Sequence, residues 1–354
     1  MVREDDIKYM QRCLDLAMKA EGLTYPNPLV GAVIVHEGRI IGEGYHLKAG
    51  GPHAEVSAID SVRDRSLLKN STIYVNLEPC SHYGKTPPCA DRIISEGIRK
   101  IVVGANDTSD KVSGRGIAKL REAGCEVRTG IMENESRYLN RRFFTFHEKR
   151  RPYITLKWAM SADGFIDEPR DGKMENKPVW ISGNPEKVLV HKWRSQEQAI
   201  LAGAGTIRAD NPQLNVREWT GNQPLKLILS RSGAVGQNSA FSEPPGTYIV
   251  FTLSNDCALP DGLKIRLEEG IPAAEQVASY LWNRNISSLF IEGGSEVHNH
   301  FISLGLWDEA RIFTGHQVFG GGVKAPELKG MRHSRQSSFS KSVLDVYLRD
   351  FNAS

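Results

Sequence analysis

Four residues of the first half carry side chains that can do chemistry together: His53, Glu55, Cys80 and Cys89. Zinc takes imidazole and thiolate ligands, and a catalytic zinc keeps three protein ligands and one open position for water. His53, Cys80 and Cys89 supply that set. Glu55 stands two residues beyond His53, within reach of the open position without ligating. Bound zinc brings the pKa of its water toward about 7. The resulting hydroxide attacks an amino-bearing ring carbon, and Glu55 carries the proton to the ring nitrogen and the departing ammonia. His53 and both cysteines are expected near helix starts, where the helix dipole favours thiolate. Two other readings use the same residues: buried inert cysteines, or a closed structural zinc with His82 as the fourth ligand.

The elements that must position these residues read as alternating helices and strands. Ile7, Met10, Leu14, Ala17 and Met18 share one helical face, with Asp5 or Asp6 as N-cap and Gly22 as the stop. Val30–Val35 and Arg39–Tyr45 read as a hairpin across Gly38. A helix over 54–62, strands over 71–77 and 100–103, a helix over 117–123 and a strand over 126–129 complete a first α/β layer. The charged segment 146–152, ending in Pro152, predicts a boundary between domains 1–148 and 149–354. Beyond it, strands are expected over 153–158, 199–201, 225–229, 248–251, 289–291, 310–313 and 343–348. Helices are expected over 185–194, 273–283 and 295–304.

Composition narrows the function class. Lys and Arg total 45 against 42 Asp and Glu, interspersed, without the basic stripe of a nucleic-acid binder. Five cysteines, Cys13, Cys80, Cys89, Cys125 and Cys257, are odd in number and scattered, unlike a disulfide framework. No apolar stretch of about 18 residues predicts a membrane span, and the N-terminal residues do not read as a signal peptide. A soluble cytoplasmic protein with no nucleic-acid or membrane partner is the expectation.

His-x-Glu followed by Pro-Cys resembles the zinc deaminase signature. The stretch Glu78-Pro-Cys-Ser-His-Tyr-Gly-Lys-Thr-Pro-Pro-Cys89 resembles, more narrowly, the deaminase domain of the bifunctional riboflavin-biosynthesis family. Nucleic-acid deaminases usually have the shorter Pro-Cys-x-x-Cys. The longer insert carries His82 and Lys85, which the resemblance assigns to a ribose phosphate. Pro26-Asn-Pro-Leu-Val-Gly31 and 46–53 are also similar to family segments, with Asn27 on the pyrimidine ring and His46 beside it.

Hydride transfer requires a nicotinamide cofactor, since no side chain donates hydride. The second half has no Gly-x-Gly-x-x-Gly fingerprint after a strand. Its segments 157–164, 179–182, 203–212, 214–217 and 291–295 instead resemble, in order, the reductase domain of the same family. The resemblance implies a cytidine deaminase-like three-layer α/β/α domain followed by a dihydrofolate reductase-like α/β domain. It implies Zn2+ and NADPH as cofactors, a phosphorylated aminopyrimidine as substrate, and a homo-oligomer. Cofactor contacts are expected from Met160, Trp180, Thr206, Asp210, Ser230, Arg231, Gly293, Gly294 and Ser295, with Arg231 suited to the extra phosphate of NADPH. Substrate contacts are expected from Arg194, Leu214, Arg217 and Glu292, the arginines gripping phosphate by bidentate bonds. Two departures are Pro178, where the family often has Ser, and Asn211, where a second aspartate is frequent. The rival functions are a nucleoside or nucleic-acid deaminase with an accessory domain, and a zinc-stabilised binding module without activity.

Overall fold

Strands with apolar residues at every position need cover on both faces, and the first half supplies it. A computed structural model describes residues 4–81, 83, 87–109, 112–169, 179–235, 240–242, 248–254 and 263–349. The chain divides into two compact units, Met1–Arg150 and Arg151–Ser354.

In the first unit the order is α1 (Glu4–Met18), β1 (Gly31–His36), β2 (Arg39–Tyr45), α2 (Ala54–Asp60), β3 (Thr72–Leu77), α3 (Cys89–Ser95), β4 (Lys100–Ala105), α4 (Arg115–Glu122), β5 (Glu126–Arg128), α5 (Glu133–Leu139) and α6 (Arg141–Lys149). The sheet runs β2-β1-β3-β4-β5. Side chains alternate across it as the pleat requires. Ala32, Ile34, Ile73, Val75, Ile101 and Val103 join the core that also holds Ala54, Ala58 and Ile93. Val33, Val35, Tyr74 and Val102 join the opposite core with Tyr9, Met10 and Cys13 of α1. The result is three layers. Glu37 and Gly38, both at positive φ, close the expected β1–β2 hairpin.

One expectation needs correction. Asp5 and Asp6 lie inside α1, not at its cap; Asp6 is buried and accepts the Tyr74 hydroxyl at 2.9 Å while pairing with Arg128. Its long-range partners, rather than helix capping, account for its place. Helix α6 continues to Lys149 and stops before Pro152. Cys80 lies in the loop before α3, three residues beyond β3.

In the second unit the order is β6 (Tyr153–Met160), β7 (Phe165–Asp167), α7 (Asn184–Ser195), β8 (Ala199–Gly203), α8 (Ala204–Asp210), β9 (Leu225–Leu229), β10 (Tyr248–Thr252), β11 (Leu263–Arg266), α9 (Ala273–Asn283), β12 (Ser288–Glu292), α10 (Ser295–Ser303), β13 (Glu309–Gly315), β14 (Val323–Lys324), β15 (Met331–Ser338) and β16 (Ser342–Arg349). A nine-stranded sheet runs β11-β10-β9-β8-β12-β6-β13-β16-β15. Neighbours from β11 to β13 are parallel, and β16 and β15 add antiparallel at one edge. One face packs Ile154, Leu156, Leu201, Leu289 and Ile291 under α9 and α10. The other packs Ile200, Ala202, Phe290 and Phe313 against Val190 and Trp193 of α7. The parallel strands end together, and ligands of such sheets bind beyond the carboxyl ends.

Candidate active sites

The first site forms where two helix starts meet the end of β3. His53 is the N-cap residue of α2, and Cys89 is the first residue of α3. Cys80 sits in the loop between β3 and α3, and its Sγ accepts the Cys89 N–H at 3.3 Å. The sulfur therefore faces the α3 N-terminus without belonging to it. His53 Nδ1 lies 3.2 Å from Cys89 Sγ and 3.5 Å from Cys80 Sγ. Among the described residues, these three form a cluster whose ligand atoms all lie within 4.8 Å of one another. A tetrahedral zinc with ordinary Zn–N and Zn–S bonds separates nitrogen from sulfur by about 3.6 Å. The donor set and its spacing fit zinc.

The thiols differ. A hydrogen bond from Cys89, the His53 ring and the Cys89 N–H lower the Cys80 thiol against its burial. Its bond to Cys80 and burial push the Cys89 thiol up. Glu55, on the first turn of α2, is 3 % exposed. Burial, then the Cys80 charge, raises its carboxyl to about 7.

Asn27 and His46 complete this cluster. Asn27 Nδ2 donates to His46 Nε2 at 3.0 Å, and His46 Nδ1 donates to the Pro52 carbonyl at 2.9 Å. This pairing assigns the Nδ1–H tautomer. Burial keeps His46 below its ordinary pKa. The His46 and His53 rings meet edge to face, 5.4 Å between centroids. His82 and Lys85 lie outside the described residues, as do Pro178 and Cys257.

Glu78 had no role in the sequence reading beyond its place in Glu-Pro-Cys. Its buried carboxylate accepts the N–H groups of Asp107, Gly114, Gly116 and Ile117, at 3.1, 3.1, 2.9 and 3.2 Å. It thereby ties the start of α4 to the Cys80 loop. A Cβ on Gly116 would fall 1.9 Å from the Pro79 carbonyl oxygen, so only glycine fits that contact. The signal was an acidic residue directly after a buried strand.

In the second unit several of the residues expected to contact cofactor and substrate lie at or just beyond strand ends, among them Met160, Ser230, Glu292 and Gly293. Thr206 Oγ1, on α8, accepts the Gly294 N–H at 2.7 Å. Gly293 has φ 151, and α10 begins at Ser295. This turn leaves the first N–H groups of α10 at the strand ends, where a helix start favours phosphate. Met160 ends β6, and Asp210 ends α8. Ser230 and Arg231 lie on a turn just beyond β9. Ser230 Oγ donates to the Ala234 carbonyl at 2.9 Å, and the exposed Arg231 accepts the Thr252 hydroxyl at its carbonyl. Trp180 is 62 % exposed, with the Lys187 ammonium 5.8 Å from its ring centre.

The expected phosphate grip of Arg194 takes another form. Its Nε and Nη2 fork onto Glu292, at 2.6 and 2.8 Å, and its Nη1 donates to the Asn215 carbonyl at 3.0 Å. Burial by itself raises the Glu292 carboxyl, but Arg194, then Lys157 and His191, bring it down to about 2. Arg217 Nη1 donates to Asn215 Oδ1 at 3.0 Å and remains exposed. Its backbone N–H donates to His191 Nδ1 at 3.2 Å, which requires a neutral imidazole. Burial, then Arg194 and Arg217, hold His191 at about 4. Leu214 is 2 % exposed and packs in the core, so its side chain presents no surface to a ligand; only its backbone, at φ 51, remains for that role. Lys157 has no role in the sequence analysis beyond its place in the segment 157–164. It pairs in register with Glu292 and Arg311, and burial lowers its pKa. A lysine inside a largely apolar strand was the signal.

The family described as the cytidine and deoxycytidylate deaminase zinc-binding region matches residues 3–105. The family described as the RibD C-terminal domain matches residues 152–347. The riboflavin biosynthesis protein RibD of Aquifex aeolicus is 38% identical over 343 residues, covering 95% of this chain and 94% of that protein. The chain belongs to the RibD family. The RibD of Bacillus amyloliquefaciens is 39% identical over 330 residues, covering 90% of this chain and 86% of that protein. Among solved structures, the diaminohydroxyphosphoribosylaminopyrimidine deaminase/5-amino-6-(5-phosphoribosylamino)uracil reductase of Thermotoga maritima superposes with a TM-score of 0.88 at 36% identity, covering 98% of this chain and 99% of that one. A RibD of Acinetobacter baumannii gives 0.86 at 30% identity, with coverage of 98% and 99%. Among the described residues no helix is long and apolar enough to cross a membrane.

Proposed function

We infer that this RibD family member is a bifunctional enzyme of riboflavin biosynthesis, a zinc-dependent aminopyrimidine deaminase followed by an NADPH-dependent reductase. The observation that carries the reading is the convergence of His53, Cys80 and Cys89, at zinc-binding spacing, with the buried Glu55.

The first reaction is the hydrolytic deamination of 2,5-diamino-6-ribosylamino-4(3H)-pyrimidinone 5′-phosphate, assigned to residues 1–148. Zinc, held by His53, Cys80 and Cys89, supplies an acidified water. Glu55 accepts a proton from that water and returns protons to the ring nitrogen and the leaving ammonia. Asn27 orients the pyrimidine, with its amide fixed by His46. His82 and Lys85 take the ribose phosphate.

The second reaction, assigned to residues 149–354, reduces the ribosyl chain to ribityl. NADPH supplies the hydride. The Gly293–Gly294 turn and Ser295 hold its phosphates at the start of α10, supported by Thr206. Met160, Trp180 and Asp210 line the rest of its path, with Ser230 and Arg231 at the adenosine ribose. Arg217 takes the substrate phosphate. Leu214 meets the substrate through its backbone, and Glu292, held by Arg194, faces its sugar chain. The protein acts on a small molecule, in the cytoplasm, as a homo-oligomer.

The test is direct. The zinc-loaded protein is incubated with the diaminopyrimidinone ribosylamine phosphate and NADPH, and products are identified by mass spectrometry. A product both deaminated and reduced is expected. Deamination without reduction overturns the reductase half. An unchanged substrate, with zinc bound, overturns the whole reading.

A further inference from the structure

Residues 106–151 fall between the two family matches, which end at 105 and begin again at 152. This stretch holds α5 and α6, and at their junction stands Asn140, which ends one helix and caps the other by position. Asparagine at a helix start ordinarily turns its side chain to the helix's own free N–H groups. Asn140 makes no such bond. It is 3 % exposed, and both ends of its amide go to one residue far away in sequence. Its Oδ1 accepts the Leu29 N–H at 2.7 Å, and its Nδ2 donates to the Leu29 carbonyl at 2.9 Å. Asn76 of β3 braces the same segment. Its Nδ2 donates to the Leu29 carbonyl at 3.0 Å, and its Oδ1 accepts the Gly31 N–H at 2.8 Å.

Leu29 lies two residues from Asn27, and the next residue, Val30, accepts the His46 N–H at 2.9 Å. A chain of bonds therefore runs from the α5–α6 junction through Leu29 to the Asn27–His46 pair, and from there to the ring of His53. We propose that Asn140 is a positioning residue of the deaminase site, fixing the 27–30 segment so that Asn27 meets the pyrimidine at the metal. The helix pair that neither family match covers is then part of the deaminase machinery. This inference rests on the deaminase reading. Its physical basis is geometric: a binding group displaced by about 1 Å costs on the order of a hundredfold in rate.

The full zinc-loaded chain is compared with Asn140→Ala, Asn140→Asp and Ile131→Ala. Ile131 is buried in the core beside α1 and serves to match the loss of thermal stability. Asn140→Asp keeps an acceptor for the Leu29 N–H but sets a second oxygen against the Leu29 carbonyl in place of the donor. Two readouts are taken: the 15N ring shifts of His46 and the steady-state constants of deamination. For Asn140→Ala, kcat/KM falls about 10–100-fold, mostly through KM. His46 loses its fixed tautomer and its ring nitrogens move toward averaged shifts. Zinc content and reduction of deaminated substrate stay at the wild-type level. Asn140→Asp gives the same changes, and Ile131→Ala gives neither. An Asn140→Ala protein with wild-type His46 shifts and wild-type KM overturns the inference, as does an Ile131→Ala protein that reproduces both changes. A wild-type protein that leaves the aminopyrimidine intact overturns the deaminase reading instead, and the His46 spectrum then decides the positioning alone.

Discussion

Arg194 forks onto Glu292 through Nε and Nη2, so the arginine expected to hold substrate phosphate pairs with a carboxylate at the end of the central strand. The pair is largely buried, with side chains 11% and 12% exposed. Planar forks of this kind fix orientation as well as charge. The consequence is a division of labour between the two arginines. Arg217 stays exposed, bonded to Asn215 and 3.8 Å from the Glu218 carboxylate, while Arg194 sets the angle of Glu292.

Replacing Glu292 by Gln strands the buried Arg194 charge. The second unit should lose about 3 kcal/mol, the scale for breaking a buried pair from one side. The pH dependence has a definite sign. The folded carboxyl sits at about 2 against an ordinary 4.5, so between those values the unfolded chain binds more protons. Stability from this group is complete above pH 4.5 and drains away toward pH 2. Thermal melts of wild type and Glu292→Gln across that range should converge at the acid end.

His191 predicts a second and higher window. Its folded pKa of about 4 lies below the ordinary 6.5, so its contribution is full above pH 6.5 and falls as pH drops to 4. His191→Asn retains an acceptor for the Arg217 N–H and removes the titration. Melts of this variant should show a flatter slope between pH 6.5 and 4 than wild type.

Glu55→Gln should keep its zinc and lose deamination by about 10²–10⁴-fold, the range for removing a general acid–base group. Reduction of substrate supplied already deaminated should be untouched. Metal analysis and ammonia release on the same sample check this. Lost zinc, or undiminished ammonia release, contradicts the assigned role.

Glu78→Gln puts an NH2 group against two of the four N–H donors that the carboxylate now satisfies. Unsatisfied buried donors cost about 1–3 kcal/mol each, and the Cys80 loop loosens. Zinc affinity should fall about 10–100-fold, as for other residues that orient ligands from behind. Competition with a chromophoric chelator measures it.

Thr206→Val removes the acceptor of the Gly294 N–H. The KM for NADPH should rise about tenfold, the equivalent of one hydrogen bond, while deamination keeps its wild-type constants. A change in the deamination constants contradicts a role confined to the reductase.

The zinc cluster was legible because its ligand types are scarce, and three of them with an acid in fixed order leave few alternatives. Amphipathic segments were legible too: the helix expected over 273–283 is α9, Ala273–Asn283. What sequence hid is of two kinds. Short or wholly polar elements carry no periodicity. Helix α5 has seven residues, and β15 is exposed along nearly its whole length, so neither gave an apolar pattern to read. Long-range partners leave no local trace. Asp6 looked like a cap because nothing nearby announces Arg128, 122 residues on. The fork of Arg194 onto Glu292, 98 residues away, left no local trace either.

The placement of β12 bears on how the chain is made. It lies between β8 and β6, pairing Leu289 with Ala199 on one side and Ser288 with Tyr153 on the other. The middle of the second sheet therefore cannot close until residues 288–292 have been synthesised, whereas β1, β3 and β4 of the first unit pair with all their partners by residue 128. Distant parallel pairing is also slow, since the closure entropy of long loops must be met before any contact forms. The amino-terminal unit can complete its core on the ribosome while Ile154, Leu156 and Leu201 still wait, uncovered, for a strand not yet translated. A nascent chain halted before that strand would be a folded first unit trailing a sticky, unpaired half-sheet.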